Sequence, residues 1–112
     1  MNDTDTIDPQ KHLRRMWDNA PKLAMAKASR VYMEEFRKTL KAKLMKSSGV
    51  DAIGAQEREA YAHPDYEAHL KALEEAVHQE ELLKWRMVTD QASVEVWRSQ
   101  EASNRAIDRA AQ

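Results

Sequence analysis

Residues 64–109 read PDYEAHLKALEEAVHQEELLKWRMVTDQASVEVWRSQEASNRAIDR, and after Pro64 no glycine or proline interrupts them. Proline suits the first position of a helix, where its missing N–H has no intrahelical partner, and Asp65 and Glu67 suit the positive end of the dipole. The stretch therefore predicts a single helix some 68 Å long at about 1.5 Å per residue. A compact globule of this chain length has a radius of gyration of about 13 Å, so a diameter near 34 Å. The rod is about twice too long to fold against its own chain as a globule. Tyr66, Leu70, Leu73 and Val77 make a seam at coiled-coil spacing. Glu80 and Lys84 interrupt it, so no sustained heptad and no simple two-stranded coiled coil is expected. Beyond the interruption Leu82, Leu83, Trp85, Met87 and Val88 spread over more than one face, and a helix apolar on several faces needs partners on several sides.

One shorter helix cannot supply them all. The expected fold is therefore all-α, a hairpin-like protomer with one very long C-terminal helix that assembles into a homo-oligomer. Leu70, Leu73, Val77, Leu82, Leu83, Trp85, Val88 and Trp97 are the expected oligomerisation residues, with Trp85 and Trp97 read as packing groups rather than base platforms.

Upstream, Asn19 is placed to cap a helix with Pro21 in its first turn, and no glycine or further proline follows until Gly49. Ala26, Ser29, Met33, Phe36, Leu40 and Leu44 recur three or four apart and share one face, which predicts a first helix at about 20–47. Ser47-Ser48-Gly49 ends it, since glycine accepts the left-handed conformation of a helix terminus. Residues 49–56 read as a loop between Gly49 and Gly54, and 56–62 as a short helix broken at His63-Pro64. Residues 1–18 read as an acidic, mobile tail followed by a short basic and apolar segment, and 19–112 as a single helical oligomerisation domain.

The composition agrees with helices. The chain has 112 residues, two glycines, three prolines and no cysteine, and 17 of its hydrophobic residues are alanines. Leu, Ile, Val and Phe make up only 16% of it, so a large core is not available. Without cysteine there is neither a disulfide framework nor a thiolate metal site. No signal core or long apolar run occurs, so no membrane association is expected and the cytoplasm is the expected location.

The net charge of −1 conceals a segregation: residues 1–10 carry −3, 11–46 carry +8, 51–83 carry −7 and 84–112 carry +1. Gly49 and Gly54 are not followed by the Lys-Ser/Thr pair of a phosphate loop. His63, His69 and His78, with Asp65, Glu67, Glu74 and Glu75 nearby, lack any metal-ligand spacing. The acids of 57–81 suit a solvated helix face better than a nuclease cleft. No cofactor, metal or catalytic residue is expected, and the chain is read as non-enzymatic.

The basic stripe is the one constellation with a partner in view. Arg30, Arg37, Lys38, Lys41, Lys43 and Lys46, with Lys27, can neutralise phosphates in a mainly electrostatic, sequence-tolerant mode. Tyr32 and Phe36 lie among them, and aromatic faces stack unpaired bases. Pairing with the acidic 57–81 segment, of the same or a neighbouring subunit, explains the stripe as well, and a solvated face is the third reading.

Leu40-Lys41-Ala42-Lys43-Leu44, followed by Ser48-Gly49, resembles the basic motif of the UvsY family of phage recombination mediators, which ends that family's first long helix with a Ser-Gly close behind. The run Lys22–Lys38 and the stretch Leu83–Asp108, with Trp85, Arg98 and Asn104-Arg105-Ala106-Ile107, are similar too, so the resemblance spans residues 22–108. It implies a helical oligomer, often a ring, that binds single-stranded DNA and helps a RecA-like recombinase displace single-strand-binding protein. The family's basic pair falls on Lys41 and Lys43, supported by Lys38, Arg37, Lys46 and Arg30. The second position is Lys where the family has Arg, which removes a bidentate phosphate contact but leaves a point charge. The alternative is a phage structural, assembly or regulatory oligomer without DNA binding.

Overall fold

A computed structural model describes residues 6–112. The expected acidic tail falls partly on residues 1–5, which lie outside the described residues. Three helices follow: α1, Pro9–Lys46; α2, Ile53–Ala62; and α3, Pro64–Ala111. Among the described residues there is no strand.

α1 begins about eleven residues earlier than the Asn19-Pro21 signal suggests. The working cap is Asp8, whose Oδ1 accepts from the Gln10 and Lys11 amides at 3.1 and 3.4 Å, with Pro9 opening the helix. The helix then runs unbroken through residues 18 and 19 and contains Pro21. An interior proline forfeits a hydrogen bond, at a cost of about 3 kcal/mol. Packing on both sides of it offsets that cost, since Met16, Asn19, Leu23 and Ala26 are all half-buried. At the other end Gly49 adopts φ 75°, and the hydroxyls of Ser47 and Ser48 donate to the Leu44 and Met45 carbonyls.

α2 also starts earlier than expected, taking Gly54 into its first turn rather than leaving it in a loop. The Gln56 amide group donates to the Val50 carbonyl at 2.8 Å, tying down the short connection. His63 is extended before Pro64, as steric restriction requires. Its carbonyl accepts from the amides of Tyr66 and Glu67, which opens α3.

The chain forms two compact units, one made by the chain up to Leu23 with Leu82–Gln112, the other by Ala24–Glu81. In the Ala24–Glu81 unit, α1 and α3 run antiparallel: Arg30 meets Glu80, and His69 meets Met33. The expected apolar face of Ala26, Ser29, Met33, Phe36, Leu40 and Leu44 is the covered one. In the other unit Asp90 meets His12 and Arg15.

The covered stripe of α3 corrects the expected seam. Residues 69, 73, 76, 80, 83, 87, 90, 94, 97 and 101 are half-buried or buried, which is an uninterrupted 4–3 alternation. Glu80, taken as an interruption, is a member of it. A heptad is therefore sustained, carrying polar groups at some of its seam positions. Leu70 and Val77 fall outside the stripe, 41% and 38% exposed. Leu44 and Ala60 are the only buried hydrophobics among the described residues, while Trp17, Met25, Tyr32 and Trp85 are largely open to solvent.

Candidate nucleic-acid interface

The six basic residues singled out from the sequence all sit on α1 between Arg30 and Lys46, and they divide into two groups. Arg30 and Lys41 point into the Ala24–Glu81 unit. The Arg30 guanidinium donates from Nε and Nη2 to both oxygens of Glu80, and from Nη1 to Glu34 Oε1 at 3.0 Å. Glu80, then Glu34, raise its pKa further above the ordinary arginine value. Lys41 Nζ donates to Glu57 Oε1 at 2.6 Å and lies 4.8 Å from the centre of the Tyr61 ring. Glu57, and after it Tyr61, raise its pKa as well. Both cations are charged at any physiological pH, and both are neutralised within the chain.

Arg37, Lys38, Lys43 and Lys46 remain exposed. Lys38 stands 3.8 Å from Glu35 with both side chains more than two-thirds open, a contact worth little in water. Lys43 Nζ lies 5.8 Å from the centre of the Phe36 ring. Lys43 and Lys46 also occupy the last turn of α1, where cations complement the helix dipole. The four charges thus crowd the C-terminal quarter of one helix.

The aromatic residues of the stripe divide in the same way. Phe36 is half-buried between the Tyr32 ring, stacked at 5.9 Å and 16°, and the His69 ring at 5.6 Å. It is not free to stack a base. Tyr32 is 67% exposed and Tyr61, which meets Tyr66 edge-on at 5.2 Å, is 49% exposed.

Two polar constellations escaped the sequence reading. Asp90, 2% exposed, gathers three hydrogen bonds on one oxygen: from His12 Nδ1 at 2.7 Å, Arg15 Nε at 3.2 Å and Arg15 Nη2 at 2.6 Å. Burial pushes its carboxyl up, but the Arg15 and His12 hydrogen bonds outweigh this and hold it below the usual carboxylate range. His69 Nε2 donates to the Met33 carbonyl at 2.7 Å. The available signal was the 3–4 spacing that places Asp90, Glu80 and His69 in phase with apolar residues of α3. Among the described residues no three His, Asp or Glu side chains gather as a metal site.

The eight expected oligomerisation residues also separate. Leu73, Leu83 and Trp97 share the covered stripe with Glu80 and Asp90. Leu82 and Trp85 line an open cleft of about 480 Å³ with Arg15, Asn19, Arg86 and Asp90. Leu70, Val77, Trp85 and Val88 are exposed. No helix among the described residues is long and apolar enough to cross a membrane. No protein-family model, curated protein or solved structure matches this chain.

Proposed function

We propose that this chain is a non-catalytic helical oligomer that binds single-stranded DNA electrostatically, as a recombination mediator of the kind its basic motif resembles. The observation that carries the proposal is the exposed cluster Arg37, Lys38, Lys43 and Lys46, four cations with only one weak acidic contact among the described residues. Lys41 supports the site from behind by holding α2 through Glu57, and Arg30 does the same for α3 through Glu80. Self-association is supported by surface: Trp17, Met25, Tyr32 and Trp85 are all largely open to solvent. Repetition of a modest cluster around an oligomer raises avidity without any strong single site.

Fluorescence anisotropy with a labelled single-stranded oligonucleotide tests the reading. Four contacts per engaged protomer give a slope of log K against log salt of about −3, and each cation removed reduces it by about 0.7. Lys43→Ala and Lys46→Ala are expected to weaken binding, while Lys41→Ala acts mainly on stability. Absence of binding at about 50 mM salt refutes the proposal. The second reading, an assembly protein whose charges serve protein contacts, is favoured by the internal neutralisation of Arg30 and Lys41. It predicts self-association with no affinity for the oligonucleotide.

A further inference from the structure

α1 carries a second apolar face, opposite the one it turns to its own chain. Trp17, Pro21, Ala24, Met25, Ala28 and Tyr32 are all exposed, and at about 100° per residue they share a sector roughly 100° wide. That sector is centred about 180° from Met16, Leu23, Ala26 and Met33, the half-buried residues of the same helix. Trp17 is 83% exposed, Met25 68% and Tyr32 67%. These three side chains alone offer roughly 500 Å², against about 800 Å² per partner in a standard protein interface.

The face is self-complementary. Its spacings, from Trp17 to Tyr32, are 4, 3, 1, 3 and 4, the same from either end. Two such helices laid antiparallel about the midpoint of Ala24 and Met25 set Trp17 of one against Tyr32 of the other. Pro21 then faces Ala28, and Ala24 faces Met25. At the centre each Met25 lies over the small Ala24 of the other copy, Ala28 lies next outward, and rings lie at the ends. Three residues beyond the rings stand Arg14 and Glu35, both exposed and in the same sector. Antiparallel pairing sets each Arg14 against a Glu35, whereas parallel pairing sets like against like. Lys22 and Lys27 lie about 60° outside the sector, clear of the contact. Among the described residues Glu35 has only the loose 3.8 Å contact with Lys38 to give up.

We propose that a second copy of this chain packs antiparallel on this face of α1 about a two-fold axis at Ala24 and Met25, with Trp17 against Tyr32 and Arg14 against Glu35. The contact is isologous, so each interface contains both halves twice. It gives the self-association proposed above, on which it rests, a surface that lies on α1 rather than on α3. Tyr32 is then covered by a partner subunit and does not serve as a base platform.

Sedimentation equilibrium on the full chain tests this. Trp17→Ala and Tyr32→Ala are each expected to weaken dimerisation about 100-fold, since aromatic anchors dominate such contacts. Arg14→Glu alone and Glu35→Arg alone are each expected to weaken it about fivefold to tenfold, and the two together to restore it to within about twofold. Rescue cannot arise within one chain, because the two positions lie about 31 Å apart on one helix. Circular dichroism checks helicity; should the ring variants lose it, the charge exchange decides alone. A wild-type chain that stays monomeric at about 100 μM overturns this interface and the self-association together. A wild-type oligomer that none of the four single substitutions weakens overturns this face only. Weakening by the single charge reversals without rescue overturns the antiparallel pairing.

Discussion

Asp90 shows how a single residue settles a local packing arrangement. Its carboxylate is almost fully buried, whereas Arg15, which supplies two of its three hydrogen bonds, is about half exposed. The two sides of this pair therefore respond unequally to mutation. Arg15→Ala leaves a buried charge with His12 alone and is expected to cost about 2–3 kcal/mol, while Asp90→Ala removes the buried charge itself and costs less. Urea unfolding followed by circular dichroism at fixed protein concentration measures both. The depressed carboxyl pKa also has a pH signature. Its stabilisation is fully present above the unfolded value of about 4 and is lost as pH falls through the lower folded value. The expected acid-induced loss of stability is smaller in Asp90→Asn. None of this was legible from residues 11–18, because Asp90 lies far away in sequence and its carboxylate looks like any other helical acid.

At the scale of the element, the helices follow from spacing and from the absence of breakers, but their ends do not. Asp8-Pro9 and Asn19-Ala20-Pro21 carry the same kind of start signal, and the chain uses the first. A local signal cannot weigh the cost of Pro21 against the burial of Met16 and Leu23 on either side of it. Pro21→Ala restores an amide donor and is expected to stabilise α1 by about 1 kcal/mol or more, read as a higher urea midpoint. Gly49, at φ 75° with open space around it, is expected to cost about 1 kcal/mol when changed to alanine, through backbone strain alone. The α3 seam departs from its sequence pattern for a related reason. Glu80 reads as an interruption until Arg30 is seen opposite it, 23% exposed against 14% for the glutamate. Exchanging this pair for two leucines is expected to leave stability level or raised, while loosening the choice of partner and register. Sedimentation velocity would show this as a broader distribution of species.

At the scale of the molecule, nearly every large apolar side chain among the described residues is shared between the chain and solvent, and of these residues only Leu44, Ala60 and Asp90 are buried. On the self-association proposed above, folding and association are coupled. The midpoint of thermal unfolding is accordingly expected to rise with protein concentration, and to rise less in Trp17→Ala. The basic stripe is likewise decided at this scale. Six cations of one sequence run become two structural ion pairs and four exposed charges, because α2 and α3 bring Glu57 and Glu80 to some of them and not to others.

By itself the sequence determined an all-helical chain, a long final helix, a shortage of core and a concentration of positive charge before Gly49. These are one-dimensional quantities, set by spacing, propensity and composition. Only the tertiary structure decided where α1 starts, which polar residues belong to the seam, and which cations remain open to a partner. Each of those depends on what stands across from a residue, and pairing between distant segments leaves no mark on either segment alone.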